Sequence, residues 1–343
     1  MRKTVHLCLS SHEEVMFRSE ADLNMGFNCL ALSVLHTESR LLGEGFMTTH
    51  HHILAQTDSP VDLTRRSRNA YTRYFNAKYH RQGRLGERTA FCIEISGIHH
   101  TMAALNYVLR QGLHHGLSAT PFGYPHCSAC CFFKKDLGRS ESVALLPTKS
   151  RYLYLPSNTH LPIEYRMTNG GLLLREDILD TAYVEELYIT PRNFLYQMNR
   201  IADEKDELKQ EQENDLPIVT MDVIEQGVPD YVGKVARIME QGRVDHNRMT
   251  DLELCNIIDG TILPRYFKDS QYISIYLLSE SKRANICEVL LRESQQARWT
   301  KTPGPFLKGK NVTETQLRRC LCLPQNEKLP SFFPAVEVKT AFS

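Results

Sequence analysis

The spacing of apolar and polar residues in the first part of the chain predicts an α+β fold. Four stretches alternate in the way that half-buried strands do, and three carry apolar residues at helical spacing. The predicted strands are residues 3–9, 40–47, 50–56 and 90–96. The predicted helices cover about 20–36, 60–81 and 101–112. The order strand, helix, two strands, helix, strand, helix indicates a mostly antiparallel sheet with helices packed on it.

The rest of the chain has weaker signals and is predicted to be largely helical. Residues 139–213 form a mixed connecting region with Pro and Gly loops, and its charge run DEKDELKQEQEN indicates a solvated helix or a linker. A helical domain is predicted over 214–343, so the domain at 1–138 is the first of three parts. The individual helices predicted beyond the charge run lie near 229–242, 250–259, 270–278 and 280–294.

Composition narrows the class of protein. The chain is 42% hydrophobic and 24% charged, as globular proteins are, and no apolar run approaches the ~18 residues of a membrane span. Ten cysteines without a secretory signal indicate a reducing compartment, so we expect a cytoplasmic protein of bacterial type with no membrane partner. The oligomeric state stays open between monomer and homodimer.

The net charge of +1 hides an asymmetry that points to the first domain. Residues 1–138 hold 15 Lys and Arg against 11 Asp and Glu, whereas residues 139–343 hold 26 against 29. Twelve of the fourteen histidines also lie in 1–138. The chemistry of the protein is therefore expected there.

A histidine triplet on one predicted strand is the first candidate site. Successive side chains of a strand point to opposite faces, so His50 and His52 share one face while His51 joins the other. Only the outer pair can converge on one metal ion. Ordinary core histidines are the alternative interpretation.

The last predicted helix of the first domain places a tyrosine away from its apolar stripe. Tyr107 and Gln111 lie four residues apart on one side of that helix. The stripe on its other side consists of Met102, Leu105, Val108 and Leu109. Tyr107 is thus a candidate nucleophile, and a surface tyrosine is the alternative.

A basic segment between residues 65 and 88 is the candidate DNA-binding surface. Its only acid is Glu87, and aromatic residues interleave with its cations. Such a segment suits the phosphates and bases of single-stranded or hairpin DNA, although an ordinary amphipathic helix is the alternative. We expect Tyr74 and Phe75 to be core. The predicted DNA contacts are Arg65, Arg66, Arg68, Arg73, Lys78, Arg81, Arg84 and Arg88.

Three segments in order, MTTHHHIL, YTRYFNAKYHRQGRL and NYVLRQGLHHGL, give the first domain a family resemblance. Over about residues 3–135 the chain resembles the single-tyrosine HUH transposases, and within them the REP-associated tyrosine transposases. The resemblance implies a ferredoxin-like palm. It further implies Mg²⁺ or Mn²⁺ held by His50, His52 and Gln111, and Tyr107 as the nucleophile.

The function that this resemblance implies is cleavage and rejoining of hairpin-bearing single-stranded DNA through a 5′-phosphotyrosine. The chain departs from the family pattern at His51, at Thr49 and at Gln111-Gly112. A DNA-binding protein that no longer cuts is therefore the alternative on the same fold. A further alternative is a zinc-stabilised regulatory protein, suggested by the Cys-x-x-Cys spacing of Cys127, Cys130 and Cys131.

Overall fold

The structure of the protein is a computed structural model. It describes residues 2–139, 142–155, 159–200, 202–228, 247–267, 272–300 and 304–325. The chain divides into two compact units, which are treated separately below. The first comprises Met1–Ser10, Ala21–Tyr71 and Glu87–Val244, and the second comprises Ser11–Glu20, Thr72–Gly86 and Asp245–Ser343.

A four-stranded antiparallel sheet forms the centre of the first unit. Its strands are β1 (Lys3–Ser10), β2 (Arg40–Phe46), β3 (His50–Thr57) and β4 (Phe91–Ile95), in the order β2-β3-β1-β4. All neighbouring pairs are antiparallel. The fold class predicted from the alternation of apolar residues is confirmed.

Two long helices connect these strands. Helix α1 (Glu20–His36) follows β1, and helix α2 (Pro60–Tyr79) follows β3. The chain order β-α-β-β-α-β, with β1 and β3 at the centre of the sheet, is the ferredoxin-like arrangement. The two units share α2, because the division between them falls after Tyr71.

The strand register decides which side chains meet on each face of the sheet. Cys8 pairs with His52, and Ser10 pairs with His50. Paired residues of antiparallel strands point to the same side, so His6, Cys8, His50 and His52 share one face, which we call the histidine face. His51 lies on the opposite face.

Helix α3 (Ile98–Leu109) covers the histidine face and contacts β2 and β3. Its predicted apolar stripe is largely confirmed, since Leu105, Val108 and Leu109 are fully buried. Gly45 of β2 permits the close approach, because a Cβ there would lie 2.9 Å from the carbonyl oxygen of Val108. The predicted helix to residue 112 is interrupted at Arg110.

A short helix and four later helices complete the described part of the first unit. They are α4 (Gln111–His114), α5 (Thr181–Tyr188), α6 (Pro191–Met198), α7 (Glu204–Glu213) and α8 (Met221–Ile224). Helices α5, α6 and α7 contact α3. The charge run forms α7, which begins with a capping box between Asp203 and Asp206.

The second unit is helical. Its buried core draws on Leu254, Ile258, Leu290 and Leu317. Its helices are α9 (Asp251–Ile257), α10 (Leu263–Tyr266), α11 (Glu280–Thr300) and α12 (Glu314–Cys320), with a π-helical turn at Ile258–Ile262.

Four helices were predicted from the sequence for this part of the chain, and their outcomes differ. Those at 250–259 and 280–294 are confirmed. The helix predicted at 229–242 lies outside the described residues, as do the first two residues of the one predicted at 270–278. In the described part of the latter, Ile275–Leu277 is a 3₁₀ turn. The predicted three-part division of the chain stays a prediction.

The described helices were also compared with the length and apolarity that a membrane span requires. Among them, none combines sufficient length with sufficient apolarity to cross a bilayer.

Candidate active site

The histidine face brings together three imidazoles from two strands. The ring centroids of His50 and His52 are 5.0 Å apart, and those of His6 and His52 are 5.1 Å apart. The Nε2 of His6 and the Nδ1 of His52 are hydrogen-bonded at 3.0 Å. The sequence pointed to His50 and His52 but not to His6, whose position depends on the register of β1 against β3.

Tyr107 faces this group from α3. Its ring centroid lies 5.2 Å from that of His52, 6.4 Å from that of His6 and 5.1 Å from that of His114. Only 6% of Tyr107 is exposed, so the alternative of a surface tyrosine is wrong. The structure thus places the Tyr107 ring beside that of His52 on β3.

Gln111 joins the same group through two contacts. Its Nε2 donates to the carbonyl oxygen of Tyr107 at 3.2 Å. Its Oε1 lies 3.2 Å from the Nε2 of His115, and the His115 ring lies 5.1 Å from that of His50. The side chains of His50, His52, Gln111 and Tyr107 therefore belong to one cluster. Within it, His115 lies between Gln111 and His50.

Burial favours the neutral form of three imidazoles in the cluster, those of His6, His52 and His114. It lowers the pKa of His6 to about 3. Burial, with smaller contributions from neighbouring histidines, lowers the pKa of His52 well below its usual value. Burial and the charge of Arg110 do the same for the pKa of His114. Neutral imidazole is the form that binds a metal.

The donor atoms fit a metal only in part. The described residues contain no group of three His, Cys, Asp or Glu side chains arranged to hold a metal. The predicted set of metal ligands differs from such a group, because its third ligand is the side-chain amide of Gln111. The Nε2 of His52 is buried without a hydrogen-bond partner within the described part of the chain. A bound cation would satisfy that atom.

The segment 221–228, which we call the cover segment, lies against the histidine face. The Sγ of Cys8 donates to the carbonyl oxygen of Gly227 at 3.4 Å, and Val228 packs on Cys8 and Phe91. A Cβ at Gly227 would lie 2.6 Å from the Cβ of Phe91. Because Cys8 is the register partner of His52, the cover segment helps to bury the candidate ligands from solvent.

A cavity of about 660 Å³ adjoins Tyr107. Its walls come from α3 and α4 and from α5 to α8, and all of them belong to the first unit. Among the residues that line it are Met102, Asn106, Tyr107, Arg110, Asn193 and Gln197. Of the predicted catalytic and metal-binding residues, Tyr107 alone lines this cavity.

The start of α3 is held by a carboxylate that the sequence did not indicate. The Oε2 of Glu213 accepts from the backbone N–H of His99 at 2.8 Å and lies 3.3 Å from the Nδ1 of His100. Burial favours the protonated acid, but the hydrogen bonds from His100 and the backbone N–H groups outweigh it and lower the pKa of Glu213. These contacts place His100 in the hydrogen-bonded start of α3.

Two cysteines of the zinc alternative, Cys127 and Cys131, are buried. Burial raises the pKa of Cys127 and Cys131, and the Sγ of Cys130 donates to the carbonyl oxygen of Phe122. Next to them, the Oγ of Ser128 accepts from the N–H of Glu44 and donates to its carbonyl oxygen. These contacts hold residues 127–131 against β2.

The aromatic residues of the basic segment divide by helical spacing. Tyr71, Phe75 and Tyr79 are buried, so the expectation for Phe75 is confirmed. Tyr74 is half-buried and lies under the ammonium of Lys78, 5.7 Å from the ring centroid. The buried side of α2 therefore includes Phe75 but not Tyr74.

The eight predicted DNA contacts differ in their surroundings. Arg65 and Arg66 pair with Asp62, and Arg81 pairs with Glu14. Arg68 is half-buried and donates to two backbone carbonyl oxygens. Four of the eight belong to each unit. The exposed side chains other than Arg65 and Arg66 are Arg73, Lys78, Arg84 and Arg88.

Comparison with known proteins gives only structural likenesses at low sequence identity. No protein-family model matches the chain, and no curated protein matches it. Among solved structures, a REP-associated tyrosine transposase bound to a REP hairpin is similar at 10% identity with a TM-score of 0.34. The match covers 40% of this chain and 80% of that one. A likeness of this size carries no argument about the site.

Proposed function

We propose that the protein is a metal-dependent tyrosine DNA strand transferase that cleaves and rejoins hairpin-bearing single-stranded DNA. The observation that carries the proposal is the 5.2 Å separation of the Tyr107 and His52 rings, which stand on different elements. A phenol beside neutral imidazoles supplies a nucleophile and metal ligands at one place.

Tyr107 is the proposed nucleophile. Its oxygen forms a bond to the scissile phosphorus while the bond from phosphorus to the 3′ oxygen breaks. The phenol loses its proton and the leaving 3′ oxygen gains one. The products are a 5′-phosphotyrosine and a free 3′-OH, and attack by a 3′-OH in the reverse direction rejoins the strand without ATP.

The proposed ligands of Mg²⁺ or Mn²⁺ are His50, His52 and Gln111. When bound, the ion supplies charge that polarises the scissile phosphate. The chain's own contribution is orientation: His6 bonds the Nδ1 of His52, and the hydroxyl of Thr49 lies 3.0 Å from the Nδ1 of His50. Contacts of this kind fix the direction of each imidazole.

The proposed DNA-binding surface is the basic segment between residues 65 and 88. Its exposed cations suit the phosphate backbone. Because Arg81 is engaged with Glu14 and with several carbonyl oxygens, we expect it to shape the segment rather than to dominate binding.

A covalent-adduct assay tests the proposal. The full chain is incubated with Mn²⁺ and a labelled hairpin-bearing single strand, and adducts are separated under denaturing conditions. We expect a labelled adduct that is absent from Tyr107→Phe and retained in the matched control Tyr196→Phe, since Tyr196 is exposed. Absence of an adduct with the wild-type chain, or its survival in Tyr107→Phe, contradicts the proposal.

The burial of the candidate ligands favours one second candidate function. His50, His52 and Gln111 are buried, as the side chains of a site that no longer cuts would be. A DNA-binding protein on the same fold is therefore the alternative. It predicts hairpin binding that is independent of Mn²⁺ and unaffected by Tyr107→Phe, with no adduct.

A further inference from the structure

We propose that the cavity beside Tyr107 seats one unpaired nucleotide of a DNA strand. The inference rests on the proposed function, because it makes the occupant part of the strand that Tyr107 attacks. The volume of about 660 Å³ lies within the range of small-ligand sites. Since Tyr107 lines the cavity, an occupant contacts the candidate nucleophile.

The placement of the cover segment favours this route to Tyr107. On the sheet side, Gly227 and Val228 lie on Cys8 and Phe91, next to the candidate ligands. The cavity is lined by Tyr107 and also by Met221, Asp222 and Ile224 of the same segment. A nucleotide in the cavity therefore contacts Tyr107 without displacing Gly227 or Val228 from Cys8 and Phe91.

The cavity presents amide groups that suit the edge of a base. The hydroxyl of Tyr188 donates to Asn106 at 2.7 Å, and the Nδ2 of Asn106 donates to the Oε1 of Gln197 at 3.4 Å. These two consecutive hydrogen bonds fix the orientation of the Gln197 amide. Its Nε2 carries no hydrogen bond to any described residue, so it remains a donor for a ligand.

A second amide offers the opposite function. The Nδ2 of Asn193 donates to the carbonyl oxygen of Tyr188 at 2.9 Å, which leaves its Oδ1 as an acceptor. A donor from Gln197 and an acceptor from Asn193 complement a base edge that carries both kinds of group.

Apolar, cationic and acidic groups complete the wall, and the acidic residues are Asp206, which pairs with Arg200, Glu207 and Asp222. Met102 and Leu187 provide contact for the face of a base. Arg110 is almost fully buried, and its guanidinium donates to the carbonyl oxygen of Arg200 at 2.7 Å. A charged guanidinium in the wall attracts a phosphate attached to the base. The combination favours a nucleotide over a purely apolar ligand.

Binding of mononucleotides to the full chain tests the inference directly. Thermal unfolding is followed with each of the four deoxynucleoside 5′-monophosphates, and with orthophosphate and deoxyribose 5-phosphate as controls. We expect at least one mononucleotide to raise the Tm in a saturable way, while the two controls do not. Equal effects of orthophosphate and mononucleotides would overturn the inference, because they would indicate an anion site only.

Two variants locate the binding. Met102→Trp fills the cavity and is expected to weaken mononucleotide affinity about tenfold or more, whereas the matched control Val61→Trp, on the exposed side of α2, leaves it unchanged. Gln197→Glu replaces a donor with an acceptor and is expected to change which base binds best. Unchanged affinity and base preference in both cavity variants would overturn the inference.

The outcome is separable from that of the proposed function. Saturable mononucleotide binding that Met102→Trp weakens, together with no DNA adduct, supports the cavity and contradicts the transferase. An adduct that forms equally well with Met102→Trp supports the transferase and contradicts the cavity.

Discussion

The two faces of the sheet carry buried histidines from the same triplet in different surroundings. His52 bonds His6 and faces Tyr107, whereas His51 stacks on the ring of Phe46 at 4.6 Å between centroids. Burial lowers the pKa of both, that of His51 to about 3. Burial and a lowered pKa therefore do not distinguish a candidate ligand from a core residue. The feature that distinguishes His52 from His51 is the neighbouring Tyr107.

The opposite face also holds a buried ion pair. The Nε of Arg175 donates to the Oε1 of Glu44 at 2.6 Å, and its guanidinium lies 4.6 Å from the ring centroid of Phe27. The two charges of this pair face each other in the interior. The opposite face therefore has a structural role, whereas the chemical role of the histidine face is the proposal, and each role can be tested.

The largest expected effect separates the two adjacent histidines. We expect His52→Ala to lower the rate of adduct formation with Mn²⁺ by about 1,000-fold, because it removes a proposed ligand. His51→Ala lowers the amount of folded protein but leaves the rate per folded molecule within about threefold. Equal losses of rate in the two variants would break the distinction between the faces.

The next effect concerns stability on the opposite face. Arg175→Met leaves the buried Glu44 carboxylate without its partner and is expected to cost about 3–5 kcal/mol of unfolding free energy. Urea denaturation measures that cost. The double variant Glu44→Gln with Arg175→Met is expected to cost less. A stable single variant with a lost adduct would place the ion pair in the chemistry and contradict the comparison.

A smaller effect is expected at His6, which acts as a positioning residue through His52. His6→Phe removes the hydrogen bond to the Nδ1 of His52 and is expected to raise the Mn²⁺ concentration for half-maximal adduct formation about 10–100-fold. His6→Gln, which retains a polar side chain, should recover part of that loss. A lowered maximal rate at an unchanged Mn²⁺ requirement would argue against this role.

The smallest effect is a pH dependence that both faces share. A histidine whose pKa is lowered in the folded state binds its proton first in the unfolded chain, so stability is complete above about pH 6.5 and declines as the pH falls toward about 3. Each such histidine contributes a slope of about 1.4 kcal/mol per pH unit. We expect His51→Leu to reduce the slope of unfolding free energy against pH by the contribution of one histidine. Urea titrations at several pH values measure that slope. An unchanged slope would contradict burial of His51.

The strands and the first helices were predictable because their apolar residues repeat at clear intervals. The histidine pair was predictable for the same reason, since alternation alone places His50 and His52 on one face. The contact of His6 with His52 was not, because it depends on the register of β1 against β3. A histidine at an alternating position of another predicted strand was the only available signal.

The surroundings of Tyr107 could not be predicted for a different reason. The charge run at 203–214 indicated a solvated helix or linker, yet Glu213 holds the start of α3. Residues 221–228, more than 100 positions beyond Tyr107, lie over the histidine face. Such contacts depend on tertiary packing that no local periodicity encodes. The sequence therefore indicated the candidate site residues but not their burial.

The most direct test of the central account is a crystal structure of the protein grown with Mn²⁺, using the anomalous signal of the metal. We predict one manganese peak within coordination distance of the Nε2 of His52, with His50 and Gln111 as further ligands and the Tyr107 hydroxyl nearby. A well-ordered histidine face without a peak, or manganese bound elsewhere, would contradict the account.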